Sequence, residues 1–129
     1  LPPKVKRVSE HEGNDTIQHI VSLGDSKNPS AISELIEFTA SKNGNERRLA
    51  ASALGKLAKF KPPIYVAVEA LERLLSDGKP QVRHYALKAL RKIGKVSGED
   101  LIALINNPAE KEYNVSLARS ILNKKEGDK

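Results

Sequence analysis

The strongest constraint in this sequence is a helical segment that occurs twice. Residues 45–57 return as residues 81–93, and most positions that keep their character are small or apolar. The matched pairs include Arg47 and Arg83, Ala50 and Ala86, Ala53 and Ala89, and Leu54 and Leu90. Such constancy, with variation between the matched positions, is typical of stacked structural repeats. Because alanine combines high helix propensity with a short side chain, we expect the repeated helices to approach closely along the alanine stripe.

Apolar residues with helical spacing continue on both sides of this duplication. Asn14 and Ser30 are suited to begin helices, Lys61-Pro62-Pro63 is expected to break one, and Gly94 is expected to end one. The sequence therefore predicts helices over residues 14–24, 30–40, 45–60, 64–76, 80–94, 99–105 and 109–124. Residues 14–125 would form one repeat domain, preceded by a flexible tail or linker over 1–13 and followed by a frayed end over 126–129.

The composition supports helix packing and narrows the class of protein. Aromatic residues make up only 4% of the chain, so aliphatic residues and alanine must fill the core. No apolar run approaches the roughly 20 residues of a membrane span, and the N-terminus lacks the apolar stretch of a signal peptide. We therefore expect a cytoplasmic protein without membrane contact. The chain has no methionine, even at position 1, so we expect it to be a piece of a longer protein.

The run from Asp77 to Gly94 resembles the HEAT repeat, in particular the short HEAT-like form of phycobilin lyases. It matches that pattern in its Asp-to-Pro turn, Val82-Arg83, Ala86, Ala89-Leu90 and final Gly94. The first copy departs from the pattern, because Asn43-Gly44-Asn45 replaces the Asp and Pro of the turn. The resemblance covers about residues 14–125. It implies an all-α, right-handed α-solenoid (a HEAT-like superhelix) of about seven short helices in antiparallel pairs, serving as a binding scaffold.

A search for reactive side chains favours a protein without catalytic activity. The three histidines, His11, His19 and His84, do not show the spacing of a metal site, and the chain has no cysteine. The glycines are isolated, so no phosphate-binding loop is predicted, and no serine lies in a nucleophile elbow. We expect no cofactor, no metal and no small-molecule substrate, and we interpret the chain as not an enzyme.

Charge divides unevenly between the two sets of predicted helices. The helices over 30–40, 64–76 and 99–105 carry six acids against Arg73 alone, whereas the repeated helices and the last helix carry thirteen bases and few acids. In HEAT-like proteins the second helix of each pair lines the concave surface. The resemblance therefore implies a solenoid that is basic inside and acidic outside.

A helical projection separates the bases that face solvent from those near the core. We expect the solvent-facing set to form a basic, partner-binding patch, and its members are Arg48, Lys56, His84, Lys88, Arg91, Lys92 and Arg119. Arg83 and its counterpart Arg47 fall at the edge of the core stripe. We expect these two to brace the adjacent turn, with Asp77 as the partner of Arg83.

Two functions remain open for this patch. The first is a non-catalytic scaffold, a module of a larger protein, that binds an acidic protein on its basic concave face. The alternative is sequence-independent nucleic-acid binding beside a DNA- or RNA-processing activity, because phosphate contacts require only lysine and arginine within reach. Base stacking would need exposed aromatic rings. Few are expected, because Tyr85 lies on a flank and Tyr65 and Tyr113 are interpreted as packing residues.

Overall fold

The computed structural model describes residues 10–57 and 64–127, with side chains over 15–57 and 64–125. These residues form seven α-helices and a short 3-10 helix, Pro29–Ala31, ahead of the second. The α-helices are α1 Glu10–Asp25, α2 Ile32–Phe38, α3 Gly44–Leu57, α4 Tyr65–Leu74, α5 Pro80–Ile93, α6 Gly98–Asn106 and α7 Glu112–Gly127. The predicted all-α architecture and helix number are confirmed. Residues 1–9, the break at Lys61–Pro63 and the last two residues lie outside the described ranges.

Helix starts differ from the sequence prediction where side chains cap turns. The Oδ1 atom of Asn28 accepts the backbone N–H of Ser30 at 3.1 Å, so Asn28 caps the 3-10 helix, and α2 follows from Ala31 without a side-chain cap. α1 begins at Glu10 and not at Asn14, so Gly13 and Asn14 both lie inside a helix despite their low helix propensity. α7 begins at Glu112 and not at Ala109, because the Asn107 side chain binds the Ala109 N–H and holds a turn there.

The helices form two layers. α1, α3, α5 and α7 pack on one another in chain order, while α2, α4 and α6 pack against α3, α5 and α7 respectively. Aliphatic side chains fill the space between the layers, and the largest fully buried ones include Ile20, Leu35, Leu54, Leu71, Leu90 and Leu101. A pair of helices cannot bury its apolar face alone, so each pair depends on its neighbours for a core. The arrangement is an all-α solenoid.

The alanine stripe lies at the helix contacts, as the repeat predicts. Ala53 and Ala89 are buried, and each faces a glycine of the preceding helix in its layer. A Cβ atom on Gly24 of α1 would lie 2.7 Å from the Ala53 Cβ, and one on Gly55 of α3 would lie 2.9 Å from the Ala89 Cβ. These distances are too short for two carbon atoms. The contacts between α1 and α3 and between α3 and α5 therefore require glycine on one side.

Gly94 ends α5 as the sequence predicts. Its φ of 83° is in the left-handed region, and its N–H donates to the Leu90 carbonyl at 2.8 Å. None of the helices described above is both long enough and apolar enough to cross a membrane.

Candidate functional site

Two arginines join successive turns of the solenoid. Arg47 donates from Nη1 to the Ser41 carbonyl before its own helix (2.9 Å), and from Nε and Nη2 to both carboxylate oxygens of Asp77 before α5 (2.7 and 3.1 Å). Arg83 repeats this geometry one unit later. It donates to the Asp77 carbonyl (2.7 Å) and to both carboxylate oxygens of Glu110 before α7 (2.8 and 2.7 Å). Each guanidinium therefore links the turn before its own helix to the turn before the next helix of that layer.

This arrangement corrects one predicted partner. The carboxylate of Asp77 pairs with Arg47, and Arg83 contacts Asp77 only through its main-chain carbonyl. The carboxylate partner of Arg83 is Glu110, whose side chain is 0% exposed. Paired, planar contacts of this kind favour arginine over lysine, because the guanidinium presents parallel N–H groups to both carboxylate oxygens.

The ion pairs shift the pKa of both carboxyl groups. Burial alone would raise the pKa of Asp77, but the hydrogen bonds from Arg47 and the Lys79 amide, with the charges of Arg47 and Arg83, hold it below its ordinary value. Burial alone would likewise raise the pKa of Glu110, but hydrogen bonds from Arg83, Asn114 and the Lys111 amide outweigh burial and lower it. The bond to Glu110 raises the pKa of Arg83, despite burial. Both carboxylates are therefore charged at neutral pH.

Asn114 stands in α7 where the preceding repeats have arginine. It is 0% exposed, and its Nδ2 donates to the Pro80 carbonyl (3.0 Å) and to Glu110 (3.1 Å). Its Oδ1 lies 2.9 Å from Nδ1 of His84. Because the amide nitrogen donates elsewhere, Oδ1 accepts and the proton lies on Nδ1 of His84. The half-buried His84 ring also packs edge-on against Tyr113, with centroids 5.2 Å apart.

A groove of about 840 Å³ opens between the C-terminal halves of α5 and α7 and extends onto α3, where Ser52 and Gly55 line it. Its floor includes Ala89, Val96 and Ile121. Five of its lining side chains are cationic, and none of its lining residues is acidic. The five are Lys88, Arg91 and Lys92 on α5 and Lys124 and Lys125 on α7. None of the five has an ion-pair partner within the part of the chain that the structure describes.

The repeat explains why the groove opens here. Arg91 occupies the position in α5 that Gly55 occupies in α3, and Ser120 occupies the position in α7 that Ala89 occupies in α5. The glycine lets α3 and α5 approach until Gly55 meets Ala89. Arg91 is too large for such an approach and is exposed, as is Ser120 across the groove. The third contact of the layer is therefore open at this end.

The structure separates the seven residues of the predicted basic patch. Lys88, Arg91 and Lys92 line the groove, and Arg119 is exposed on α7 outside the groove lining. The remaining three already have partners. Lys56 lies 2.8 Å from the Asp25 carboxylate, and Arg48 donates to the Tyr85 hydroxyl at 3.2 Å with its guanidinium over the ring. His84 is bonded to Asn114 as described.

Sequence reasoning placed neither Lys124 nor Lys125 in the patch, because both fall in the last turn of the most divergent repeat. The sequence signals that could have identified these two lysines are their charge and their position in the last helix. The interpretation of Tyr65 as a packing residue was wrong, because its exposed fraction is 60%. Tyr113 is 44% exposed and packs in part against the His84 ring. The exposed Tyr65 ring has the Lys95 ammonium 5.8 Å from its centroid.

No group of three or more histidine, cysteine, aspartate or glutamate side chains is placed to hold a metal ion in the described ranges. The features available for chemistry are therefore the paired arginines and the basic groove. A second depression of about 560 Å³ opens beside the Arg83–Glu110 pair, but its lining also includes the acids Asp77 and Asp100, whereas the lining of the basic groove has no acid.

Comparison with known families assigns the architecture. A model of HEAT repeats matches residues 32–120, which covers the paired arginines and most of the groove. The chain belongs to the HEAT repeat family. HEAT repeats are generally protein-interaction scaffolds and typically have no catalytic activity. A comparison with curated proteins finds no match to this chain.

Proposed function

We propose that this HEAT-repeat chain is a non-catalytic scaffold that binds an acidic protein on the face formed by α3, α5 and α7. The observation that carries the proposal is the set of five cationic side chains around one groove, with no acid among the lining residues. The resemblance implies that this layer lines the concave surface of the solenoid, where related scaffolds have room for a partner.

The charge arrangement on α5 supports this proposal. Lys88 lies three and four residues before Arg91 and Lys92, so all three extend from one side of the helix. Like charges at these spacings destabilise a helix by about 0.2–0.5 kcal/mol per pair. An acidic partner would remove that repulsion, and its carboxylates would gain charge-assisted hydrogen bonds.

Nucleic acid is the second candidate, and the limited extent of the free cations around the groove within residues 15–57 and 64–125 makes it the weaker one. Binding along a phosphate backbone needs cations spread over a long surface, because each strand presents regularly spaced charges. On α3, Lys56 is paired with Asp25 and Arg48 is engaged by Tyr85. The unpaired cations around the groove therefore lie on α5 and α7.

The experiment compares labelled probes by fluorescence anisotropy. The probes are an aspartate- and glutamate-rich peptide, a lysine-rich peptide of the same length, and single- and double-stranded DNA. We expect the acidic peptide to bind, and Lys88→Glu with Arg91→Glu to weaken it by about tenfold or more, since 1.4 kcal/mol corresponds to tenfold. The matched control is Lys42→Glu with Lys111→Glu, which makes the same change in net charge at exposed positions outside the groove.

Equal loss of affinity in both double variants would show that net charge alone attracts the peptide, and would reject the proposal. Tight DNA binding with a steep, linear dependence of log affinity on log salt would instead support the nucleic-acid alternative. Failure of every probe to bind at low salt would leave the cations as a solvated face that promotes solubility.

A further inference from the structure

We infer that the groove between α5 and α7 is the binding site for an extended acidic peptide segment of the partner. This inference rests on the proposed function and assigns a location and a conformation to the ligand. It follows from three features of the groove: how it opens, where its charges lie and where the free cations stop.

The groove lies at the one contact of its layer where the glycine–alanine pairing is absent. Gly24 meets Ala53 and Gly55 meets Ala89, so those helices are in close contact, and Gly55 and Ala89 contribute only surface to the groove. At the corresponding place between α5 and α7, Arg91 faces a gap rather than a backbone. Its volume of about 840 Å³ is within the range of about 300–1,000 Å³ found for ligand sites, which is enough for a short segment of chain.

Cationic side chains line both walls of the groove. Lys88, Arg91 and Lys92 form one wall, and Lys124 and Lys125 form the other. Successive side chains of an extended segment point in opposite directions, so consecutive acids would reach both walls at once. An acidic helix would have to direct its charges to two opposite sides and would be about 10 Å wide. The arrangement therefore favours an extended segment with consecutive aspartate or glutamate residues.

The limits of the free cations indicate a short segment. Beyond α5 in the direction of α3, the Lys56 ammonium is bonded to Asp25 and the Arg48 guanidinium covers the Tyr85 ring. A ligand that continued across α3 would meet cations that already have partners, and would approach the Asp25 carboxylate. A segment that occupies the single groove satisfies the free cations without crossing this region.

The absence of cysteine makes a direct test possible. Ser120 is exposed and lines the groove, whereas Ser33 is exposed on α2 in the other layer. Ser120→Cys and Ser33→Cys would each be alkylated with N-ethylmaleimide, with and without a saturating acidic peptide that contains proline to prevent helix formation. We expect the peptide to slow alkylation at position 120 by about tenfold, and to leave the rate at position 33 unchanged.

A second pair of variants tests the α7 wall. We expect Lys124→Glu with Lys125→Glu to weaken the proline-containing acidic peptide by about tenfold, as the α5 double variant does. The Lys42→Glu, Lys111→Glu protein is again the control. Circular dichroism and urea unfolding would confirm that each variant is folded before its affinity is compared.

The outcomes separate this inference from the proposed function. If peptide binding depends on Lys88 and Arg91, but the peptide neither protects position 120 nor loses affinity in the α7 double variant, the groove is not the binding site. The proposal of a scaffold that binds an acidic protein would then remain. Tighter binding of a helix-forming acidic peptide than of the proline-containing one would overturn the extended conformation. No binding of any acidic peptide would reject both.

Discussion

The two ends of the contact between α5 and α7 are built in opposite ways. At the N-terminal end, Arg83, Glu110, Asn114 and the Pro80 carbonyl form a part-buried hydrogen-bonded cluster. At the C-terminal end, about two turns further along α5, Arg91 is exposed and has no partner in the described ranges. The same residue type thus has a structural role at one end and is available to a ligand at the other.

The difference lies in the surroundings and not in the residue. Arg83 is surrounded by carboxylate and carbonyl oxygens in a part-buried site, where its Nε, Nη1 and Nη2 atoms each have an acceptor. Arg91 stands where a glycine would have let the helices close, and its own size keeps the space open. The groove in which we propose binding therefore lies where a repeat departs from its own pattern.

The largest loss of stability is expected when Arg83, the arginine with a structural role, is removed. We expect Arg83→Ala to lower the free energy of unfolding by about 3 kcal/mol, because loss of one partner leaves a buried carboxylate, Glu110, uncompensated. Urea unfolding at neutral pH followed by circular dichroism would measure it. A loss below half a kcal/mol would show that Glu110 gains water or another partner, and would remove the contrast between the two ends.

A second variant places an arginine in the closed contact between α3 and α5, at the position that corresponds to Arg91 in the open contact. We expect Gly55→Arg to cost about 2–3 kcal/mol, because its Cβ would lie 2.9 Å from the Ala89 Cβ and force α3 and α5 apart. Thermal unfolding would measure the loss. Gly78→Arg is the matched control, since a Cβ atom at Gly78 meets nothing within 4 Å. If both variants unfold at the same temperature, close helix approach at Gly55 is not required.

The acid dependence of stability should come largely from the same pairs. The folded pKa values of Asp77 and Glu110 are below their ordinary values, so the stabilisation is present above about pH 4–5 and is lost as pH falls through the lowered values. We expect Glu110→Gln to cost about 1–2 kcal/mol at pH 7, as expected for hydrogen bonds that lose their charge.

In the same variant the free energy of unfolding should fall less steeply as the pH is lowered, because position 110 no longer binds a proton. Urea unfolding at a series of pH values between 7 and 3 would test this. Glu112→Gln, an exposed acid two residues away, is the control and should follow the parent protein. If the free energy of unfolding of Glu110→Gln falls as steeply with decreasing pH as that of the parent protein, other carboxylates cause the acid sensitivity.

The smallest effect on stability is expected at the open end. Arg91→Ala should change the free energy of unfolding by less than about 0.5 kcal/mol, because exposed side chains without partners contribute little. The same urea experiment serves, with Arg83→Ala as the comparison on the same helix. A loss of 2 kcal/mol or more would mean that Arg91 holds α7 in place, and that the groove is part of the structural core.

Much of the fold could be predicted from the sequence because repetition marks the positions that pack. Ala53 and Ala89 recur at one spacing, so the duplication alone indicates a close helix contact. Glu110 could not be found in this way. The loops before α5 and α7 are equally long, but Asp77 lies three residues before its helix and Glu110 two, so the two acids do not align although both bind the arginine of the preceding repeat. The groove depends on the distance between α5 and α7, and that distance cannot be read directly from a residue pattern.

The link between turns has a direction. Arg47 and Arg83 each extend forward to the unit that follows, whereas the three hydrogen bonds of Asn114 all return to the preceding turn and helix. The series of forward clamps therefore stops within the last repeat. A repeat stacked on α7 would therefore meet Asn114 where the earlier repeats present an arginine, and contacts other than this clamp would have to fix its position.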